Sequence, residues 1–239
     1  MTEAVEQTMK RREIDESKLN ILTQLLNQLV TTACGILIPR LLIAAYGSEA
    51  YGISASIAQF LSYIALLEGG IGGVARAKLY GPLAKNDASE TSSVYYAVRD
   101  FFNHVAAIFV DYSIILGLCY HDLAHVTIFS RTYIFLLVLS IGLATLAKYV
   151  GGLANLTLIV ADKKVYVNNL IMVATTLVNA ATVAILVRMG AGLVLVKLGS
   201  SLIFVVRPIL YAVYVKKHYV LTRSSQKAVL DQKWTGIGQ

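Results

Sequence analysis

The chain has 239 residues, of which 56% are hydrophobic and only 15% are charged, and its mean hydropathy is +0.65. A soluble globular domain carries about 25% charged residues, so this composition excludes an ordinary soluble protein and indicates an integral membrane protein. The formal net charge of +7 does not point to a nucleic-acid partner, because the basic excess of a membrane protein usually collects in its cytoplasmic loops.

Six apolar segments follow a polar start of the chain. Residues 1–19 are polar and of mixed charge, and they predict a cytoplasmic amphipathic N-terminus. Each apolar segment supplies about the 20 residues that a helix needs to cross a bilayer. The predicted fold is therefore all-α, a six-transmembrane-helix bundle over residues 20–215. Its spans are 20–45, 50–68, 101–120, 132–160, 165–188 and 191–215, with a cytoplasmic connection at 69–100 and a basic cytoplasmic tail at 216–239.

The orientation follows from the distribution of lysine and arginine. Fifteen of the 21 basic residues fall in the segments that six spans place on one side of the membrane. Basic residues mark the cytoplasmic side, so both termini are predicted to be cytoplasmic. These fifteen are Lys10, Arg11, Arg12, Lys18, Arg76, Lys78, Lys85, Arg99, Lys163, Lys164, Lys216, Lys217, Arg223, Lys227 and Lys233.

Several charged residues lie inside the predicted spans. Asp111 is near the middle of span three and Lys148 near the middle of span four. Each costs about 2.5–3.5 kcal/mol at a helix centre, so neither should face lipid. Two interpretations stay open: the two side chains pair and hold their helices in register, or they line a water-filled cavity.

The remaining intramembrane charges favour cations. Arg40 follows Pro39 in the outer half of span one, Lys197 lies in the outer half of span six, Arg207 lies in its inner half, and Glu68 closes span two. A net positive cavity suits an anionic head group, and the forked guanidinium of arginine suits phosphate. The candidate substrate-binding residues are therefore Arg40, Lys148, Lys197 and Arg207.

An ion-coupling role is the second hypothesis for the charged residues. His104 lies two helical turns from Asp111 on the same predicted face, and Glu68 is the other carboxylate of the set. Desolvation would favour the protonated form of Asp111, whereas a nearby cation would favour the ionised form. The alternative is a permanently ionised Asp111 paired with Lys148.

No cofactor or metal site is expected. The stretch His121-Asp122-x-x-His125 has metal-like spacing, but a third and a fourth ligand are not evident. The chain also lacks GxSxG and HExxH motifs and offers no nucleophile–base pair, so an enzyme is not expected.

Several short segments resemble those of a known family. They are Pro39-Arg40-Leu41-Leu42, Tyr46-Gly47-Ser48-Glu49, Gln59-Phe60-Leu61-Ser62-Tyr63, Leu66-Leu67-Glu68-Gly69-Gly70-Ile71-Gly72, Leu79-Tyr80-Gly81-Pro82-Leu83-Ala84, Ala161-Asp162-Lys163-Lys164-Val165-Tyr166, Val196-Lys197-Leu198, Arg207-Pro208-Ile209 and Tyr214-Val215-Lys216-Lys217. In these segments the chain resembles the amino-terminal part of bacterial polysaccharide flippases, which export lipid-linked oligosaccharides within the multidrug/oligosaccharidyl-lipid/polysaccharide superfamily.

The resemblance implies a function and a set of partners. A protein of this kind flips undecaprenyl-pyrophosphate-linked oligosaccharide repeat units across the bacterial cytoplasmic membrane by alternating access, driven by an ion or proton gradient. Its partners would be that lipid-linked substrate, membrane lipid and possible polysaccharide polymerase machinery. The family has two six-helix lobes, so the chain is expected to be one lobe of a partial protein, with a second lobe as its partner. The alternatives are a drug or cation exporter of the same superfamily and a multispan polyprenyl-phosphate glycosyltransferase.

Overall fold

The regular structure of the described chain is helical. A computed structural model describes the backbone of residues 2–68 and 70–222 and the side chains of residues 16–68 and 70–222. No strand occurs in these ranges, so the all-α prediction is confirmed for them. The helices are α1 (Thr2–Ser62), α2 (Ile71–Ala84), α3 (Ala88–Leu123), α4 (Arg131–Ala147), α5 (Leu153–Ala161), α6 (Val165–Arg188) and α7 (Leu193–His218), with a 3-10 turn at Tyr63–Glu68 and a π-helical turn at Lys148–Gly152.

Five helical segments of the described chain are long and apolar enough to cross a membrane. This is the composition of a helical membrane-embedded protein, as the sequence predicts. The segments are Glu16–Glu68, Ala88–Leu123, Arg131–Ala161, Val165–Arg188 and Leu193–His218.

Gly47 divides the first of these segments into two arms. Its φ of 85° and ψ of 162° are not helical, although the residues on both sides are. A straight helix over the 53 residues of Glu16–Glu68 would measure about 80 Å, against a hydrocarbon core of about 30 Å. We call residues 16–46 the first arm and residues 48–62 the second arm.

Contacts of the first arm show that it runs parallel to α6. Asn20 donates to the Lys163 carbonyl over 2.8 Å and accepts from the Tyr166 amide over 2.7 Å. Further along, Tyr46 donates its hydroxyl hydrogen to the carbonyl of Ala191, just beyond the end of α6. The first arm therefore leads from the start of α6 to its end.

Contacts of the second arm proceed in the opposite direction. Its Phe60 carbonyl accepts from the Tyr112 hydroxyl over 2.8 Å, and Glu68 after it reaches Lys148 and Tyr149. The chain therefore reverses at Gly47. We call this side of the bundle the Gly47 end and the opposite side, where α2 lies, the α2 end.

Helix α4 is the centre of the bundle. Its Ile134, Leu137 and Val138 are fully buried, and it contacts α1, α3 and α7. Glycines let α3 and α4 approach closely, because a Cβ on Gly117 would lie 2.8 Å from the Phe135 ring. Such small residues at helix interfaces replace the hydrophobic driving force that lipid removes.

Two predicted spans differ from the observed helices. Predicted span four (132–160) is interrupted between α4 and α5, because Val150 and Gly151 leave the helical conformation. Helix α3 begins thirteen residues before predicted span three (101–120), because the Asp87 side chain caps it by accepting from the Ser89 and Glu90 amides.

The two predicted terminal segments are only partly described. Residues 2–19 of the predicted amphipathic N-terminus are helical, but the side chains of residues 1–15 lie outside the described residues. Residues 223–239 of the predicted tail (216–239) also lie outside them.

Replacing Gly47 with alanine should destabilise the reversal between the arms. Its φ and ψ fall in a region that is nearly exclusive to glycine, so we expect a loss of about 1–3 kcal/mol. The measurement is thermal unfolding of the purified protein in detergent. Gly35→Ala is the matched control, because Gly35 is helical and has open space around it. Equal melting temperatures for the two variants would contradict the prediction.

Candidate functional site

The interruption of the fourth apolar segment depends on two glycines. Gly151 has a φ of 78°, which side chains rarely tolerate. Gly152 allows a close approach, because a Cβ there would lie 3.0 Å from the Pro208 Cβ of α7 and 3.3 Å from the Ala147 carbonyl oxygen. The broken helix therefore packs directly against the proline in the middle of α7.

A polar pair satisfies a backbone carbonyl that the interruption frees. The Asn155 amide donates to the Gly151 carbonyl over 2.8 Å, and the Tyr95 hydroxyl donates to the Asn155 side-chain oxygen over 2.8 Å. Asn155 and Tyr95 are both buried. An unpaired carbonyl in hydrocarbon would cost several kcal/mol, so these two bonds stabilise the interruption and join it to α3.

A cleft of about 980 Å³ lies in front of the interruption. Helix α3 forms one side, α7 forms the other, and Val150, Gly151 and Asn155 form the back. Arg99 and Lys216 provide two cations on opposite sides of the cleft, and no carboxylate is among its described lining residues. The rest of the lining is mainly apolar or aromatic and includes Tyr95, Tyr96, Val205, Ile209, Val213, Val220 and Leu221.

A short extended segment closes the cleft at the α2 end. We call residues 219–222 the C-terminal strap; Tyr219, Val220 and Leu221 line the cleft. The Tyr219 hydroxyl donates to the Asp162 carboxylate over 2.6 Å, and the Thr222 amide donates to the Ser92 hydroxyl over 3.0 Å. The strap is thus attached to α3 and to the end of α5.

The environment of Tyr219 keeps its hydroxyl neutral. Burial, followed by the hydrogen bond to Asp162, raises the pKa of Tyr219 above its ordinary value. Lys164 pairs with the same carboxylate over 2.7 Å and lies 5.4 Å from the centre of the Tyr219 ring. The strap is therefore attached through a protonated donor at physiological pH.

The interpretation in which Asp111 pairs with Lys148, one of the two that the sequence left open, is contradicted by the structure. Lys148 lies 2.8 Å from Glu68, which also accepts a hydrogen bond from the buried Tyr149. The 3-10 turn at Tyr63–Glu68 brings the carboxylate to the π-helical turn that begins at Lys148, a connection that spacing along the sequence does not reveal.

The two candidate cations of α7 contact different neighbours. Arg207 is half-buried and donates to Thr175 over 2.6 Å and to Thr176 over 2.9 Å, with no carboxylate partner among the described side chains. Lys197 lies 6.0 Å from the centre of the Tyr51 ring of the second arm. Neither residue lines the cleft.

Three candidate residues lie on the outer surface of the bundle. Arg40 is exposed on the first arm, and Asp111 and His104 are exposed on α3. The ring of His104 bonds the Asp100 carbonyl over 2.7 Å, whereas Arg40 and Asp111 have no ion-pair partner in the part of the chain that the structure describes.

The sequence predicts one cavity lined by all four candidate cations, but none of the four lines the cleft. The structure gives Arg40, Lys148, Lys197 and Arg207 separate neighbours, and it builds the cleft from residues that the sequence did not single out as site residues. Arg99 and Lys216 were recognised only as basic residues of one membrane side. A usable signal was present, because two adjacent glycines in an apolar segment often mark a discontinuous helix, and discontinuous helices form binding sites in transporters.

Comparison with family models, with curated proteins and with solved structures finds no match to this chain. Among the described residues, no group of three His, Cys, Asp or Glu side chains could hold a metal ion.

Replacing Tyr219 with phenylalanine should loosen the strap. The change removes the hydrogen bond to Asp162 but keeps the aromatic ring, so the cleft should open more often. In a protein whose Cys34 and Cys119 are replaced by alanine, a cysteine introduced at Val215, which lines the cleft and is only 2% exposed, should then react several-fold faster with a water-soluble maleimide than it does with Tyr219 intact. Tyr80→Phe is the control, because Tyr80 is 51% exposed on α2. An unchanged reaction rate in the Tyr219 variant would show that the bond does not hold the strap.

Proposed function

We propose that the protein is a membrane transporter that flips a lipid with an anionic head group, as the polysaccharide flippases do, and that the cleft is its substrate site. The observation that carries the proposal is the pair of cations, Arg99 and Lys216, in a lining without described carboxylates at a discontinuous helix. Half-helices of this kind surround the substrate sites of many transporters.

The lining of the cleft matches the parts of a lipid-linked oligosaccharide. A guanidinium and an ammonium can bind a pyrophosphate, the guanidinium through paired N–H groups. Tyr95, Tyr96 and Asn155 offer hydroxyl and amide groups for a sugar, and Ile209 and Val213 offer an apolar wall for the polyprenyl chain. The predicted substrate, an undecaprenyl-pyrophosphate-linked repeat unit, combines these three chemistries.

The same proposal gives the chain six spans. The two arms joined at Gly47 count as two, the four further apolar segments complete the set, and the α2 end is cytoplasmic because the basic residues collect there. The C-terminal strap then closes the cytoplasmic side of the cleft. Alternating access would need the strap to release and the interruption to move against Pro208.

The original candidate residues keep narrower roles. Arg40, Lys148, Lys197 and Arg207 stay predicted contributors to substrate binding at later steps of transport. For ion coupling, Glu68 is the candidate carboxylate that has a cation beside it, because Lys148 lies 2.8 Å away, and a proton could compete with that ammonium group. Asp111 and His104 stay candidates only if their exposed face borders water or protein.

The alternative functions predict different behaviour. A drug or cation exporter needs an anionic site, and a cleft with two cations disfavours it. A glycosyltransferase would need an acid or base at the substrate, and we assign none in the cleft.

Topology is tested with reporter fusions. Fusions at Ser48, His121 and Ala191 should report the external side, and fusions at Asn86 and Lys164 the cytoplasmic side, because the Gly47 end and the α2 end lie on opposite membrane surfaces. An internal signal at Ser48 would contradict the six-span proposal.

Arg99→Gln and Lys216→Gln should each weaken binding of undecaprenyl pyrophosphate about ten- to a hundredfold, since a hydrogen bond to a charged group contributes about 1.5–3 kcal/mol. The measurement is a radioligand binding assay on the full chain in lipid nanodiscs. Lys217→Gln is the matched control, because Lys217 is the next residue and does not line the cleft. Wild-type affinity in both cleft variants would overturn the substrate site.

A further inference from the structure

The outer surface of the bundle has two chemically different sides. On α4, α6 and α7 the exposed side chains at membrane depth are aliphatic, and examples are Leu136, Leu177, Ile185, Leu202 and Val206. Side chains of this kind face lipid without cost. The other side, formed by the two arms and α3, also exposes aliphatic side chains such as Leu29, Ile36 and Leu118, but in addition it carries the charges of Arg40 and Asp111.

Asp111 is the most costly group on that second side. The buried residues of α3 include Phe102, Phe109, Leu116 and Tyr120, and helical spacing places Asp111 opposite them, facing away from the bundle. Ile108 and Ile115, one turn before and after it, are 51% and 60% exposed. A short carboxylate cannot reach the membrane surface from the middle of a span, so it requires a cation or water from outside this bundle.

Arg40 presents the opposite charge at a similar depth. It lies six residues before Tyr46, or about 9 Å from the Gly47 end. Tyr46 donates to the carbonyl of Ala191, so Arg40 is about level with Lys197, six residues further along α7. Pro208 of α7, eleven residues beyond Lys197, packs on Gly152, and Gly142, ten residues before Gly152, packs on Phe109 and Ser113, which lie on either side of Asp111. By this register Asp111 is also about level with Lys197. Arg40 and Asp111 are therefore nearly level.

The second arm lies between these two charges. It is joined to the first arm at Gly47 and contacts α3, where the Phe60 and Tyr120 rings are 5.9 Å apart. Its exposed positions include Gly52, Ala55, Gln59 and Ser62, which are spaced along one helical face. Small side chains at such spacing allow two helices to approach closely.

We propose that this side is the interface of a homodimer with a two-fold axis along the membrane normal, next to the second arm. Such an axis places the first arm of one copy against α3 of the other, because the order first arm, second arm, α3 is reversed in the partner copy. Each Arg40 then pairs with the Asp111 of the other copy. A two-fold interface must be self-complementary, and a surface with one cation and one anion on either side of a small-residue helix meets this condition.

This inference depends on membrane embedding and not on the proposed substrate. A protein that fails to bind undecaprenyl pyrophosphate can still dimerise, and a monomer can still bind it. The two proposals therefore fail in separate experiments.

The test is a charge exchange on the full chain. Arg40→Asp and Asp111→Arg should each weaken the dimer about tenfold or more, because each variant places like charges against each other at the two-fold contacts. The double variant R40D/D111R restores opposite charges and should restore the dimer. Oligomeric state is measured by native mass spectrometry in mild detergent and by subunit counting after photobleaching in lipid vesicles.

Two controls separate the interface from general damage. Arg188→Asp exchanges the charge of an exposed arginine at the end of α6, outside the interface, and should leave the dimer unchanged. Asp111→Asn and Arg40→Gln avoid charge repulsion, so they should remain folded by protease resistance and still shift the dimer toward monomer.

Cross-linking tests the position of the axis. In a protein whose two native cysteines are replaced, Ser62→Cys should form an intermolecular cross-link in membranes, whereas Leu177→Cys on the aliphatic side should not. A monomeric wild-type protein, a dimer indifferent to all the charge variants, or cross-linking through Leu177→Cys would overturn the proposal. Cross-linking of Ser62→Cys only to a different protein would also overturn it and would assign this side to another partner.

Discussion

The structure depends on one requirement of the bilayer, which is that every backbone polar group at membrane depth has a partner. Continuous helices meet this requirement by themselves, but the interruption between α4 and α5 does not. There the Asn155 side-chain amide donates to the Gly151 carbonyl in place of the missing helical donor. The Tyr95 hydroxyl donates in turn to the side-chain oxygen of Asn155. Because these partners come from α5 and α3, the interruption, the cleft in front of it and the position of α3 form one unit.

Polar side chains of the bundle serve two different purposes. Asn20 and Arg207 are satisfied by neighbouring helices: Asn20 joins the first arm to the start of α6, and Arg207 joins α7 to two threonines of α6. They contribute to helix association, which lipid does not drive by the hydrophobic effect. Arg40 and Asp111 have no described partner within the bundle, so their cost must be met by something outside it.

Closure at the α2 end combines two kinds of contact. The strap is held by hydrogen bonds from Tyr219 and Thr222, while the Glu68–Lys148 pair joins the end of the second arm to the interruption. Both sets are small enough to break during a conformational change, since even a hydrogen bond to a charged group contributes only about 1.5–3 kcal/mol net. The aromatic core between α3 and the π-helical turn, with Phe109 and Tyr149 buried, stays together whichever way the closure moves.

The sequence by itself determined the all-helical class, the apolar segments and the bounds of α6, because a long aliphatic run has only helical solutions in a bilayer. Local signals were also present in the sequence. Asp87 is a capping residue that marks the start of α3, and Gly151-Gly152 marks the interruption of the fourth apolar segment. Only the tertiary structure decided which charges meet. Lys148 pairs with Glu68, eighty residues away, because the 3-10 turn after the second arm and the π-helical turn after α4 bring the two side chains together. Helical spacing identifies residues on one face of one helix, but the partner of that face depends on how the separate helices pack, and packing is not encoded in any single segment.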